Sequence, residues 1–120
     1  MKAIKKLLSN SVFLISIQIL VIVLLTGCSK SSTSGTGPGP NEVFIQGMAF
    51  DRATLTVSVN TTVTWTNKDD VTHNVTSNNG TFSSGSLTKG STYSFTFTTA
   101  GTYNYICTIH PSITGKIIVQ

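Results

Sequence analysis

From residue 54 to residue 107 this chain repeatedly alternates an apolar or aromatic side chain with a threonine, serine or asparagine. TLTVSV (54–59) puts Leu55, Val57 and Val59 on one face, and TVTWTN (62–67) does the same with Val63 and Trp65. TYSFTFT (92–98) aligns Tyr93, Phe95 and Phe97, and TYNYIC (102–107) aligns Tyr103, Tyr105 and Cys107. A period of two fits a strand with one buried face and cannot supply the stripe of an amphipathic helix. VNTT, NKDD, NNG, SSGS, TKGS and TAGT separate the runs with turn-forming residues. GKIIVQ (115–120) closes the chain as a further strand. Short strands at this spacing predict an all-β sandwich. Trp65, Tyr103 and Tyr105 have inward parity and belong to its core.

The first 27 residues stand apart. Lys2, Lys5 and Lys6 precede an apolar run, Val12 to Leu25, interrupted only by Ser16 and Gln18. A basic start, a short apolar stretch and small residues before a cut form an export signal, and the run falls short of the roughly 20 residues a spanning helix needs. LLTGC (24–28) resembles the lipobox of bacterial lipoproteins. That resemblance implies cleavage before Cys28, lipid on its sulfur, and anchoring of the remainder to a membrane surface. The alternative is that Cys28 is an ordinary thiol paired with Cys107, which would tie a tail to an interior strand. Ser29 is not an inner-membrane retention aspartate. The expected address is therefore the bacterial cell envelope, at the periplasmic face of an outer membrane or the outer face of a plasma membrane.

Residues 29–41, SKSSTSGTGPGPN, contain no side chain able to build a core. They read as a tether spanning roughly 20 Å. The expected organisation is a signal over 1–27, a lipidated cysteine and tether over 28–41, and one domain over 42–120. The net charge of +4 belongs largely to the signal. After Cys28, five basic side chains face four acidic ones, leaving +1 and no basic run to recruit nucleic acid.

The chemistry sits in three residues. The sequence holds two histidines, His73 and His110, and Cys107 is its one cysteine beyond Cys28. Cys107 ends a strand with inward parity, His110 follows in a C-x2-H spacing, and His73 opens HNVTS (73–77) after a turn. Two imidazoles and one thiolate suit copper in a trigonal electron-transfer site. Metal ligation also explains an unpaired thiol in an exported chain.

GMAFDRATLTVSVNTTVTWTNKDDVTHNV and GTYNYICTIHPSITGKIIV together resemble cupredoxins, the small blue copper proteins of the plastocyanin, pseudoazurin and amicyanin group. The likeness covers nearly all of 42–120. It implies an antiparallel Greek-key β-sandwich, one copper ion on His73, Cys107 and His110, and a monomer passing electrons to redox partner proteins. It also implies that Asn74 ties the two ligand loops together, its backbone N–H directed at the Cys107 sulfur. Met48 falls in the apolar docking patch beside His110, with packing or docking as its ordinary role rather than ligation. The departure is Ile113. It stands where amicyanin-like loops carry the axial methionine, and it has no donor atom. The resemblance then implies a non-ligating axial position, a three-coordinate site and a raised potential.

Other readings are a copper-handling or chaperone module, a decayed site, a zinc site, and a Cys107 nucleophile activated by histidine. The chain lacks Met- or His-rich runs for scavenging. No orienting carboxylate or oxyanion site is evident for acyl chemistry, so an enzyme is not expected. Asp69 and Asp70 read as solvated turn residues.

Overall fold

The computed structural model describes residues 37–120. The expected signal, Cys28 and most of the tether lie outside the described residues. Within them the chain forms seven strands and no helix: β1 (Glu42–Ile45), β2 (Thr54–Val57), β3 (Thr61–Asn67), β4 (Thr76–Ser77), β5 (Thr92–Phe97), β6 (Gly101–Ile106) and β7 (Thr114–Val119). They assemble into a three-stranded sheet, β1-β3-β5, and a four-stranded sheet, β2-β7-β6-β4. The all-β sandwich is as expected.

Two pairings refine the antiparallel expectation. β1 runs parallel to β3, and β2 parallel to β7, while β3–β5, β4–β6 and β6–β7 are antiparallel. Parallel neighbours require chain crossing between layers, which side-chain alternation cannot announce. Alternation did mark the buried faces. Val63, Trp65 and Phe97 from the first sheet meet Val57, Tyr105, Ile117 and Val119 from the second. Trp65 packs edge-on to Tyr105 at 5.5 Å and stacks on Phe82 at 5.6 Å. Tyr103 is only half-buried, its hydroxyl donating to the Thr99 carbonyl at 2.7 Å. The outer face of the first sheet carries hydroxyl pairs, Thr62–Thr96 at 2.7 Å and Thr64–Ser94 at 2.8 Å. The threonines of the repeat thus bond across strands where the aromatics face inward.

Some sequence expectations fail locally. Val59 is exposed rather than inward, because β2 stops at Val57 and the chain turns through Asn60 at φ 68°. HNVTS does not form a strand from His73. Only Thr76 and Ser77 pair with β6, and His73 instead makes an isolated bridge to Leu87.

Candidate metal centre

The site forms where strand ends meet. β4 pairs with β6 through Thr76 and Ile106, and β6 with β7 through Ile106 and Thr114. This register sets the loop leading into β4, which carries His73, beside the loop from Cys107 to Ile113. Backbone bonds fold the second loop. His110 N donates to Cys107 O at 3.2 Å, Ile113 N to His110 O at 2.9 Å, and Cys107 N to Ile113 O at 3.0 Å. Pro111 is the second residue of the inner turn, where its fixed φ fits and no N–H is needed.

Cys107 and His73 are fully buried and His110 is half-buried. The Cys107 Sγ lies 3.6 Å from His73 Nδ1 and 3.8 Å from His110 Nδ1. The three ligand atoms lie within 4.8 Å of one another. A first-row metal with bonds of about 2.0 Å to nitrogen and about 2.3 Å to sulfur, at a trigonal angle, separates N from S by about 3.8 Å. The donor atoms therefore already stand at the spacing such an ion requires.

Asn74 joins the two loops. Its backbone N–H points at the Cys107 Sγ, 3.4 Å away. Its side chain donates to Thr108 Oγ1 at 2.6 Å and accepts from Thr108 N at 2.7 Å. Ile113 is 2% exposed, so the position three residues after His110 is filled by buried hydrocarbon. Cys107 has no disulfide partner among the described residues.

Asp69 is not the solvated turn residue the sequence suggested. Its Oδ2 accepts from His73 Nε2 at 3.0 Å and from Met48 N at 3.0 Å, and its Oδ1 accepts from Gly47 N at 2.7 Å. Burial alone would raise its pKa, but the Met48, Gly47 and His73 donors outweigh that and hold the carboxyl below its ordinary value. An acidic residue four positions before a ligand histidine was the available signal. Asp70 does remain at the surface, 2.6 Å from Lys89 Nζ. Met48 is exposed on the turn that Asp69 anchors, and Val71 and Ile109 are exposed on the two ligand loops.

Residues 40–120 match the family profile of copper binding proteins, plastocyanin/azurin family. The chain belongs to that family. Amicyanin from Paracoccus denitrificans is 41% identical over 83 residues, 65% of this chain and 63% of the relative. Amicyanin-alpha from Methylorubrum extorquens is 37% identical over 84 residues, 66% of this chain and 71% of that one. This chain thus spans somewhat under two thirds of the Paracoccus relative. Among solved structures, a Cu(I) form of an amicyanin point mutant superimposes with a TM-score of 0.63 at 39% identity, over 66% of this chain and 80% of that one. A purple cupredoxin from Nitrosopumilus maritimus gives 0.61 at 32% identity, over 66% and 98%. Copper is the cofactor that this family and this donor set share.

Proposed function

We propose that this cupredoxin carries single electrons between partner proteins of the bacterial cell envelope, held there by lipid on Cys28. The convergence of His73 Nδ1, Cys107 Sγ and His110 Nδ1 carries the reading, with the Asn74 N–H already on the sulfur. Copper bound by these three residues supplies a one-electron Cu(II)/Cu(I) couple. The chain's own part is to hold the donors rigidly, so that little rearranges when the charge changes. Buried His73 and Cys107 exclude water, and half-buried His110 offers the route by which an electron leaves. Met48, Val71 and Ile109 supply apolar contact for a docked partner. Ile113 stands in place of an axial methionine, leaving a three-coordinate site that favours Cu(I). Electron carriage turns over no substrate, so no enzymatic activity is proposed.

The test is to add one equivalent of Cu(II) to purified metal-free protein and record the visible and EPR spectra. An intense thiolate-to-copper band with narrow hyperfine splitting supports the carrier reading. A colourless protein that binds only Cu(I) and yields it rapidly to a chelator would replace it with a copper-handling role. The anchor is tested separately. Mass spectrometry of the membrane-derived protein should find a diacylated Cys28 at the N-terminus, and Cys28→Ser should release the protein into the soluble fraction.

A further inference from the structure

Asp69 gathers three donors from two segments of the chain, the turn at Gly47 and Met48 and the loop at His73. Gly47 and Met48 are both left-handed, at φ 63° and 60°. Methionine rarely adopts that conformation, because its Cβ is crowded there. Two successive residues so arranged aim their N–H groups into one concavity, a ready anion site. The Asp69 carboxylate fills it and takes His73 Nε2 as a third partner. Asn67 braces this turn. Its Oδ1 accepts from Asp69 N at 2.9 Å, and its Nδ2 donates to Val71 O and Leu87 O, both at 2.8 Å.

An ionised carboxylate only accepts hydrogen bonds, and a neutral imidazole has one N–H. The proton of His73 is therefore on Nε2, and the lone pair on Nδ1 faces the Cys107 sulfur. We infer that Asp69 is a positioning residue for the copper centre. It fixes the His73 tautomer, strengthens that imidazole as a donor, and ties the centre to the turn presenting Met48.

The charge count gives the direction of the effect. Cu(II), the Cys107 thiolate and the Asp69 carboxylate sum to zero, whereas with Cu(I) they sum to −1. In a buried site the neutral combination is favoured, so Asp69 stabilises Cu(II). It works against Ile113, which favours Cu(I), and keeps the potential lower than three-coordination alone would set it.

The inference rests on the copper reading, but its first test does not need the metal. Ring-nitrogen NMR of the metal-free protein should show His73 protonated on Nε2, and Asp69→Ala should convert it to a mixture of tautomers. Asp69→Asn is the second variant. Its amide oxygen can occupy the Oδ2 position and still accept from His73 and Met48, so it removes the charge together with the one bond from Gly47, which would then face the amide NH2. We expect it to weaken Cu(II) binding by roughly 10- to 100-fold, the usual effect of altering a ligand's hydrogen-bond partner, and Cu(I) binding by less, so that the Cu(II)-to-Cu(I) affinity ratio falls. Wild-type His73 protonated on Nδ1 would overturn the proposal. So would an Asp69→Asn protein with an unchanged Cu(II)-to-Cu(I) affinity ratio. Wild-type protein that binds no copper yet keeps the Nε2 proton through Asp69 would sink the carrier reading and the role at copper, and leave standing only the fixing of the His73 tautomer.

Discussion

Replacing Gly115 by alanine should destabilise the protein although it adds one methyl group. Gly115 sits opposite Tyr105 in the β6–β7 register. A Cβ there would lie 2.5 Å from the Tyr105 hydroxyl oxygen and 2.7 Å from its Cε2. The backbone at Gly115 is not left-handed, so what the position needs is space. Other aromatic rings pack against the Tyr105 ring. Phe50 lies 4.7 Å from it edge-on, Trp65 5.5 Å and Phe82 6.1 Å, all between ring centroids. Forcing a methyl into such packing costs about 1–3 kcal/mol. Loss of glycine's freedom in the unfolded chain returns about 0.4–1 kcal/mol. Contacts this short put the steric cost in the upper part of its range, so it wins, leaving a net loss of about 1–2.5 kcal/mol. For a domain of this size that lowers Tm by roughly 5–15 °C. Thermal unfolding of the metal-free protein, followed by circular dichroism, reads this directly. Adding Tyr105→Phe removes the contact with the hydroxyl oxygen and should recover part of the loss. A Gly115→Ala protein that melts at or above the wild-type temperature would show that the aromatic cluster yields freely, and the packing argument would fail.

Ile113→Met keeps the volume of a buried site, so stability should change by less than about 1.5 kcal/mol, while the new thioether lowers the potential; voltammetry showing no downward shift would count against an axial role for this position. Burial pushes the Tyr105 phenol up to about 12, with the Trp65 indole N–H opposing and the Asp51 charge adding to the rise. Because the folded value is raised, its contribution is complete below the unfolded pKa near 10. It is lost as pH climbs from 10 to 12, a fall of about 3 kcal/mol at most. Urea titrations across that window should show Tyr105→Phe declining less steeply than wild type. The Tyr105 hydroxyl and Trp65 Nε1 both lack a partner meeting hydrogen-bond geometry, so Tyr105→Phe should cost little stability at neutral pH. Asn74→Ala removes both side-chain bonds to Thr108 and should cost about 1–2 kcal/mol; the copper-loaded variant should show broadened EPR lines as the two ligand loops loosen, and unchanged lines would argue against the bridge.

The sequence made the buried faces legible because alternation records which side of a strand meets the core. It also exposed the ligand trio, since His73 and His110 are the chain's two histidines and Cys107 its one cysteine beyond Cys28. What it hid has physical causes. EVFI (42–45) is too short to show a period, and β1 is held by parallel pairing with β3. Phe82 and Leu87 enter the core from a stretch joined only by isolated bridges, so no periodicity marks them. Asp69 reads as an ordinary turn acid until folding brings the Gly47 and Met48 amides onto it from more than twenty residues away. The demand for glycine at 115 is equally silent, because it is created by a ring on the neighbouring strand.

The parallel pairing of β2 with β7 joins Leu55 to Ile117 across most of the domain. Such distant partners close late, after the local hairpins have formed. His73 comes within reach of Cys107 only when β4 docks on β6, thirty-four residues along the chain. In an unfolded chain only Cys107 and His110, three residues apart, are held near one another. The third donor is placed by folding, so metal retention reports on it: a chain that has not completed its sandwich holds copper through fewer organised donors and more weakly, and its thiol stays open to oxidation.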